Sequence, residues 1–275
     1  SVVATRMALK LGDICLPEAG FGTDLGAEKF FDIKCRLAGL RPDAAMIVAT
    51  ARALKYHGGV PLSELGRADI EALNRGLDNL EAHVGCVRQF KVPVLVGINR
   101  YVTDTEHEHQ AVLDRCATLG VPAYVADVFG RGGEGGEDLA RGLLKILDGE
   151  RSAFAPLYPL DVADKAKLLT IATRIYGADG VNYPKKVDRQ ITQADVAEGQ
   201  RSRGVRVSRQ HTEHADGQDR PPARSHQIQS QQTRHREERH PSNQHGARRE
   251  QPVADDPARP ERLRRIHAPR VVVVV

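Results

Sequence analysis

Val92-Pro-Val-Leu-Val-Gly-Ile98, followed at once by Asn99-Arg-Tyr-Val-Thr-Asp-Thr105, decides the fold. The first stretch is a short, nearly continuous apolar run, the pattern of a strand buried on both faces. The second is polar, carries one aromatic ring, and leads into Asp104–Leu119, whose composition predicts a helix. Thr103 and Glu106 are spaced as a capping box at its start.

The same unit recurs on either side. Ala44-Ala-Met-Ile-Val-Ala49 precedes Thr50-Ala-Arg-Ala-Leu-Lys-Tyr-His-Gly-Gly59. Ala123-Tyr-Val-Ala126 precedes Asp127-Val-Phe-Gly-Arg-Gly-Gly-Glu-Gly-Gly136. Leu65, Ile70, Leu73, Leu77, Leu80 and Val84 recur at helical spacing within Leu62–Val87. Glu137–Leu147 reads as a helix with an acidic first turn, and Ala163–Tyr176 as another, ended by Gly177. Alternating strands and helices predict an α/β fold with a parallel sheet and right-handed crossovers. Ligands of such sheets bind beyond the carboxyl ends of the strands. All three polar or Gly-rich loops fall on that rim.

Composition divides the chain into residues 1–191 and 192–275. The second part has no Phe, Tyr, Trp, Met, Cys or Lys, and Leu263 is its only leucine. It cannot bury enough apolar surface to offset its ordering entropy, so disorder is expected over 192–275. The Val271–Val275 run offers no further reading. The formal net charge of +4 averages two unlike parts and is no argument for nucleic-acid binding by the first. An Arg-rich tail could contact phosphates, but acidic residues are interspersed and no ring is present to stack on bases. Cys15, Cys35, Cys86 and Cys116 show no C-x-x-C spacing, so buried, reduced thiols of a cytoplasmic protein are expected. No signal peptide or membrane span is evident.

Several rim residues are suited to chemistry. Glycines in Gly132–Gly136 allow close approach of backbone N–H groups to an anion or a flat ring, beside a helix start. Phe21, Tyr101 and Phe129 sit in polar or Gly-rich surroundings, where they either stack on a flat heterocycle or plug gaps in the core. Arg52, Lys55 and His57 are candidate anion ligands, or else a solvated helix surface.

The block Pro17-Glu-Ala-Gly-Phe-Gly-Thr-Asp-Leu-Gly-Ala-Glu-Lys-Phe-Phe-Asp-Ile-Lys-Cys-Arg36, together with Asn99–Glu106 and Gly130–Gly136, resembles the second half of formate–tetrahydrofolate ligase. The resemblance runs from Ser1 to about Ile191. It implies a P-loop-NTPase-like sheet with helices on both faces, and ATP-dependent joining of formate to tetrahydrofolate through formyl phosphate. It also implies ATP with Mg2+, a stimulating monovalent cation such as K+ or NH4+, and a homotetramer. On the family pattern, aromatics at Phe21, Tyr101 and Phe129 sandwich the pterin, and Arg131, Gly132 and Gly133 shape the same pocket. Phe129 stands where Trp is common, and Tyr101-Val102 replaces a usual Phe-Pro. The chain has no Gly-Lys dipeptide, so it has no G-x-x-x-x-G-K-[ST] phosphate loop. The expectation is a folate-side fragment, inactive alone. The alternatives are a non-catalytic folate- or nucleotide-binding remnant, or an α/β domain with a nucleic-acid-binding tail. Permitted codons for Gly204–Arg220 and Asp255–Glu261, advanced by one nucleotide, yield strings like the family's C-terminus. This predicts a frameshifted translation after about Ile191.

Overall fold

The computed structural model describes residues 1–149, 151–194 and 269–275. Five parallel strands form the sheet: β1 (Ile14–Cys15), β2 (Ala44–Ala49), β3 (Val94–Asn99), β4 (Ala123–Ala126) and β5 (Arg270–Val274), in the order β1-β5-β2-β3-β4. The helices are α1 (Val2–Leu11), α2 (Cys35–Ala38), α3 (Ala51–His57), α4 (Ile70–Gln89), α5 (Glu106–Thr118), α6 (Val128–Arg131), α7 (Glu137–Leu147) and α8 (Asp164–Arg174).

Period-2 alternation sorts the strand side chains between two cores. Ala45, Ile47 and Ala49 of β2, Val94, Val96 and Ile98 of β3, and Val271 and Val273 of β5 face one way. There they meet Leu73, Leu77, Leu80, Val84 and Val87 of α4, and Val112 and Cys116 of α5. Phe31 centres this core, with its ring 4.6 Å from Phe90 and 5.9 Å from Phe154. Ala44, Leu95 and Val272 face the other way, onto Leu143 and Leu147 of α7. Helices therefore cover both faces, as the α/β reading requires.

Two helix starts differ from the sequence expectation. The stretch Leu62–Val87 is not one helix: Leu62–Glu64 is a 3-10 turn, and α4 begins at Ile70, where Asp69 accepts a hydrogen bond from Ala72 N–H at 2.8 Å. Leu65 instead packs with Val60 and Ala72 in a small satellite cluster. At α5 the capping box is Thr105 with Glu108, not Thr103 with Glu106. The reason is Asp104, whose carboxylate is turned back onto Tyr101 N–H at 2.9 Å, so the chain is still in a tight turn there.

The largest departure is β5. Disorder was expected through Val275, yet Arg270–Val274 occupies an interior position of the sheet between β1 and β2. Val271, Val272 and Val273 are buried, each worth about 1.5–3 kcal/mol of apolar transfer. Residues 195–268, including the segments expected to carry the frameshifted strings, lie outside the described residues.

Around Pro17–Arg36 the backbone widens into two π-helical stretches, Gly22–Ala27 and Phe30–Lys34. Single π turns interrupt the regular ladder and often accompany functional sites. Close helix packing fixes α3 against α4: a Cβ on Gly76 would stand 1.8 Å from Leu54 O. That approach sets α3 under the rim of β2.

Candidate functional site

The carboxyl ends of β2, β3 and β4 open into two clefts, with the first turn of α3 between them. Thr50 caps α3 by accepting a hydrogen bond from Ala53 N–H at 3.0 Å. Arg52 then faces one cleft, while Thr50, Ala53 and His57 face the other.

The first cleft has a volume of about 610 Å³ and is lined by Arg52, Asn99, Arg100, Tyr101, Asp127 and Phe129, among others. Its floor is rigid. Asp104 Oδ2 accepts from Tyr101 N–H at 2.9 Å and meets His109 Nε2 at 3.3 Å, with both side chains sealed from solvent. The Arg52 guanidinium lies 5.3 Å from the centroid of the Tyr101 ring, a cation–π arrangement. Arg100 pairs with Glu106 at 2.8 Å. Phe129 rides on α6, whose first turn is held by Gly130 N–H donating to Asp127 Oδ1 at 3.1 Å. Its ring is 93% exposed, so it plugs no gap in the core.

The second cleft holds about 770 Å³ and is lined by Phe21, Asp24, Thr50, His57, His83 and Tyr176, together with the aliphatic side chains of Ile47, Val48 and Leu80. Among the described residues no Lys or Arg lines it. Phe21, at the start of the first π-helical stretch, is 99% exposed. Tyr176 donates through its hydroxyl to Asp24 O at 3.1 Å, closing one side. His83 on α4 meets Thr23 Oγ1 at 2.6 Å through Nδ1. Burial holds the His83 pKa below its ordinary value; Asp24 opposes that and His57 adds to it.

The three aromatic candidates do not share one cavity: Phe21 belongs to the second cleft, and Tyr101 and Phe129 to the first. Arg131, Gly132 and Gly133 line neither. Arg131 is exposed and engaged with Glu134 at 2.7 Å. The Gly132–Gly136 segment is a 3-10 turn, tied back by Asp127 N–H donating to Gly135 O at 3.0 Å. Lys55 is fully buried, with Nζ 2.8 Å from Glu108 Oε1 and donating to Arg67 O at 2.8 Å. An anion would have to displace Glu108 to reach it. His57 is exposed on the wall of the second cleft, and Arg52 is the member of that trio placed beside an aromatic ring.

Sequence reading passed over His83, Thr23, Asn99 and Asp127. His83 carried a usable signal: it falls between Leu80 and Val84 on the buried stripe of α4, where an imidazole needs a partner. The four cysteines are buried and form no disulfide. Burial pushes the Cys35 thiol up to about 12 and the Cys116 thiol up to about 11, so neither is poised as a nucleophile. Among the described residues no helix is long and apolar enough to cross a membrane, and no group of three or more His, Cys, Asp or Glu side chains forms a metal cage.

The conspicuous rim segments thus frame paired clefts at the carboxyl edge of a parallel sheet. The family model described as Formate–tetrahydrofolate ligase matches residues 1–227, past the point near Ile191 where the sequence resemblance stops. Its members join formate to tetrahydrofolate with ATP as the third substrate, and this chain belongs to the formate–tetrahydrofolate ligase family.

Proposed function

We propose that this chain supplies the folate side of formate–tetrahydrofolate ligation. The observation that carries the reading is the pair of almost fully exposed rings, Phe21 at 99% and Phe129 at 93%, on the carboxyl rim of the sheet. Two phenylalanines in water cost apolar exposure and stabilise nothing in the fold, so their use is to stack on something brought to them. Charge orients the ligand. Among the described residues the cleft beside Phe21 has no cationic Lys or Arg, which suits the uncharged pterin. The cleft beside Tyr101 and Phe129 holds Arg52 and Arg100, which suit the glutamate carboxylates.

In the complete reaction, a formate oxygen attacks the γ-phosphorus of ATP, giving formyl phosphate and ADP. The N10 amine of tetrahydrofolate then attacks the formyl carbon, the C–O bond to phosphate breaks, and the amine loses its proton. The first step calls for a loop of backbone N–H groups with a Lys on the phosphates. No such G-x-x-x-x-G-K-[ST] string occurs in these 275 residues. Mg2+ would enter on the phosphates of ATP rather than on a carboxylate cage of the described residues. The 275-residue chain is therefore expected to bind tetrahydrofolate but to make no formyl phosphate alone. Production of 10-formyltetrahydrofolate by the purified chain from ATP, formate and tetrahydrofolate would overturn the second half of that statement. Absence of tetrahydrofolate binding would overturn the first.

A further inference from the structure

His83 has a fixed tautomer. Thr23 presents two groups to the same ring nitrogen: its backbone N–H lies 3.3 Å from His83 Nδ1, and its hydroxyl oxygen 2.6 Å from it. A backbone N–H can only donate, so Nδ1 must be the acceptor and must carry no proton. The hydroxyl then donates to Nδ1 as well. A neutral ring with Nδ1 bare carries its proton on Nε2. His83 lines the 770 Å³ cleft, and with Nδ1 turned to Thr23, Nε2 is the nitrogen left for that cleft.

The surroundings support a neutral ring. Asp24 on the π-helical stretch and His57 on α3 are the titratable side chains that bear on it across the cleft. Cys86, one turn along α4, also lines the cleft, and burial raises its thiol pKa so that it stays uncharged. The cleft is walled by the apolar side chains of Leu25, Val48, Leu80 and Phe21 and also carries Asp24, Thr50, Asn79 and His57. An uncharged Nε2–H in that wall offers one hydrogen bond to an acceptor atom on a ligand edge.

We propose that His83 is a positioning and specificity-determining residue of the Phe21 cleft. Its Nε2–H, held in place by Thr23, donates one hydrogen bond to an acceptor atom on the edge of the flat, uncharged heterocycle that stacks on Phe21. This rests on the reading that tetrahydrofolate docks in that cleft. Stacking on Phe21 alone tolerates any flat ring, since every such ring has a π face. The Nε2–H adds register: it fixes which edge of the ring points toward α4, and so where the rest of the ligand leaves the cleft.

The test combines two measurements on the full 275-residue chain. The first is the ring 15N spectrum of His83 without ligand, near pH 7.5. The proposal expects a protonated Nε2 and a bare Nδ1; a protonated Nδ1 overturns it. The second is tetrahydrofolate titration of the wild type, His83→Phe, His83→Gln and Thr23→Val, with thermal unfolding of each recorded. His83→Phe should weaken binding by about 3- to 10-fold, the worth of one neutral hydrogen bond. His83→Gln places an amide N–H near the Nε2 position and should recover most of that loss, which a merely structural role would not produce. Thr23→Val removes the hydroxyl but keeps the backbone N–H that fixes the tautomer, so it should weaken binding by less than His83→Phe. Equal affinity in the wild type and His83→Phe, with Phe21→Ala strongly impaired, would sink the role of His83 and leave the folate reading standing. No binding by the wild type would remove both.

Discussion

Lys55 Nζ lies 2.8 Å from Glu108 Oε1, and both side chains are sealed from solvent. The pair ties α3 to the start of α5, directly below the loop that carries Tyr101. Glu108 is fully used: besides Lys55 it accepts from Thr105 N–H at 2.9 Å, Thr105 Oγ1 at 3.0 Å and Asp69 N–H at 3.3 Å. Burial raises its pKa, but these donors outweigh burial and hold it below the usual carboxylate value.

Removing one partner leaves a buried charge uncompensated. Lys55→Met should lower stability by about 3–5 kcal/mol, read by urea unfolding, whereas Lys55→Met with Glu108→Leu should recover a substantial part. A double-variant loss equal to the sum of the two single-variant losses would show that the pair is not coupled. Because the folded-state pKa of Glu108 is depressed, its contribution is present above its unfolded value and is lost as pH falls through the folded one. Acid should therefore loosen the α3–α5 junction.

Asp43 holds β5. Its Oδ1 is 2.9 Å from Arg270 Nη1 and its Oδ2 accepts from Val271 N–H at 2.9 Å. Arg151 adds a contact at 3.2 Å. Asp43→Ala strands a buried N–H and removes a side chain that fixes register in a run of identical valines. A loss of about 2–4 kcal/mol is expected, with faster amide exchange at Val271–Val273. Unchanged exchange at those amides would mean that apolar burial alone places the strand.

Glu28 and Asp32 form a buried acid pair. Burial raises the Asp32 carboxyl as well, opposed by Leu157 N–H, which donates to Oδ1 at 2.9 Å, and by Arg36 Nη2 at 3.3 Å. Burial first, then the neighbouring Asp32, push Glu28 up to about 7, so it holds its proton below that pH. A folded-state pKa above the unfolded value means that stability is fully present below the unfolded pKa, near 4.5, and is lost as pH rises through 7. Glu28→Gln should match the wild type at pH 5 and exceed it at pH 8. The gain is about 1–2 kcal/mol, discounted for partial solvation. A wild-type stability that is flat from pH 5 to pH 8 would contradict the raised Glu28 pKa.

Local pattern made much of this fold legible. β2, β4 and α7 begin and end where their apolar runs do, because each is short, bounded by turn residues and buried on the faces its period predicts. What escaped reading depends on distant partners. Nothing near Lys55 announces Glu108, so an interior lysine looked like a surface one. Nothing within Val271–Val275 announces Asp43, which lies 228 residues from Val271 in sequence. The capping box moved by two residues because Asp104 folds back on Tyr101, a choice that depends on buried His109. At the site, the Gly-rich settings left open whether the rings stack on a ligand or fill the core, and the exposure of Phe21 and Phe129 follows only from the fold. Their division between two clefts was not legible either, since it follows from where α3 sits.

The most direct test of the account is calorimetric titration of tetrahydrofolate into the intact chain, its Phe21→Ala variant and its Phe129→Ala variant. The account predicts saturable binding by the wild type. Each variant should bind at least about 10-fold more weakly, in line with a stacking contact worth roughly 1–1.5 kcal/mol or more, with thermal unfolding unchanged because both rings are outside the core. Wild-type and variant curves that superimpose would contradict it.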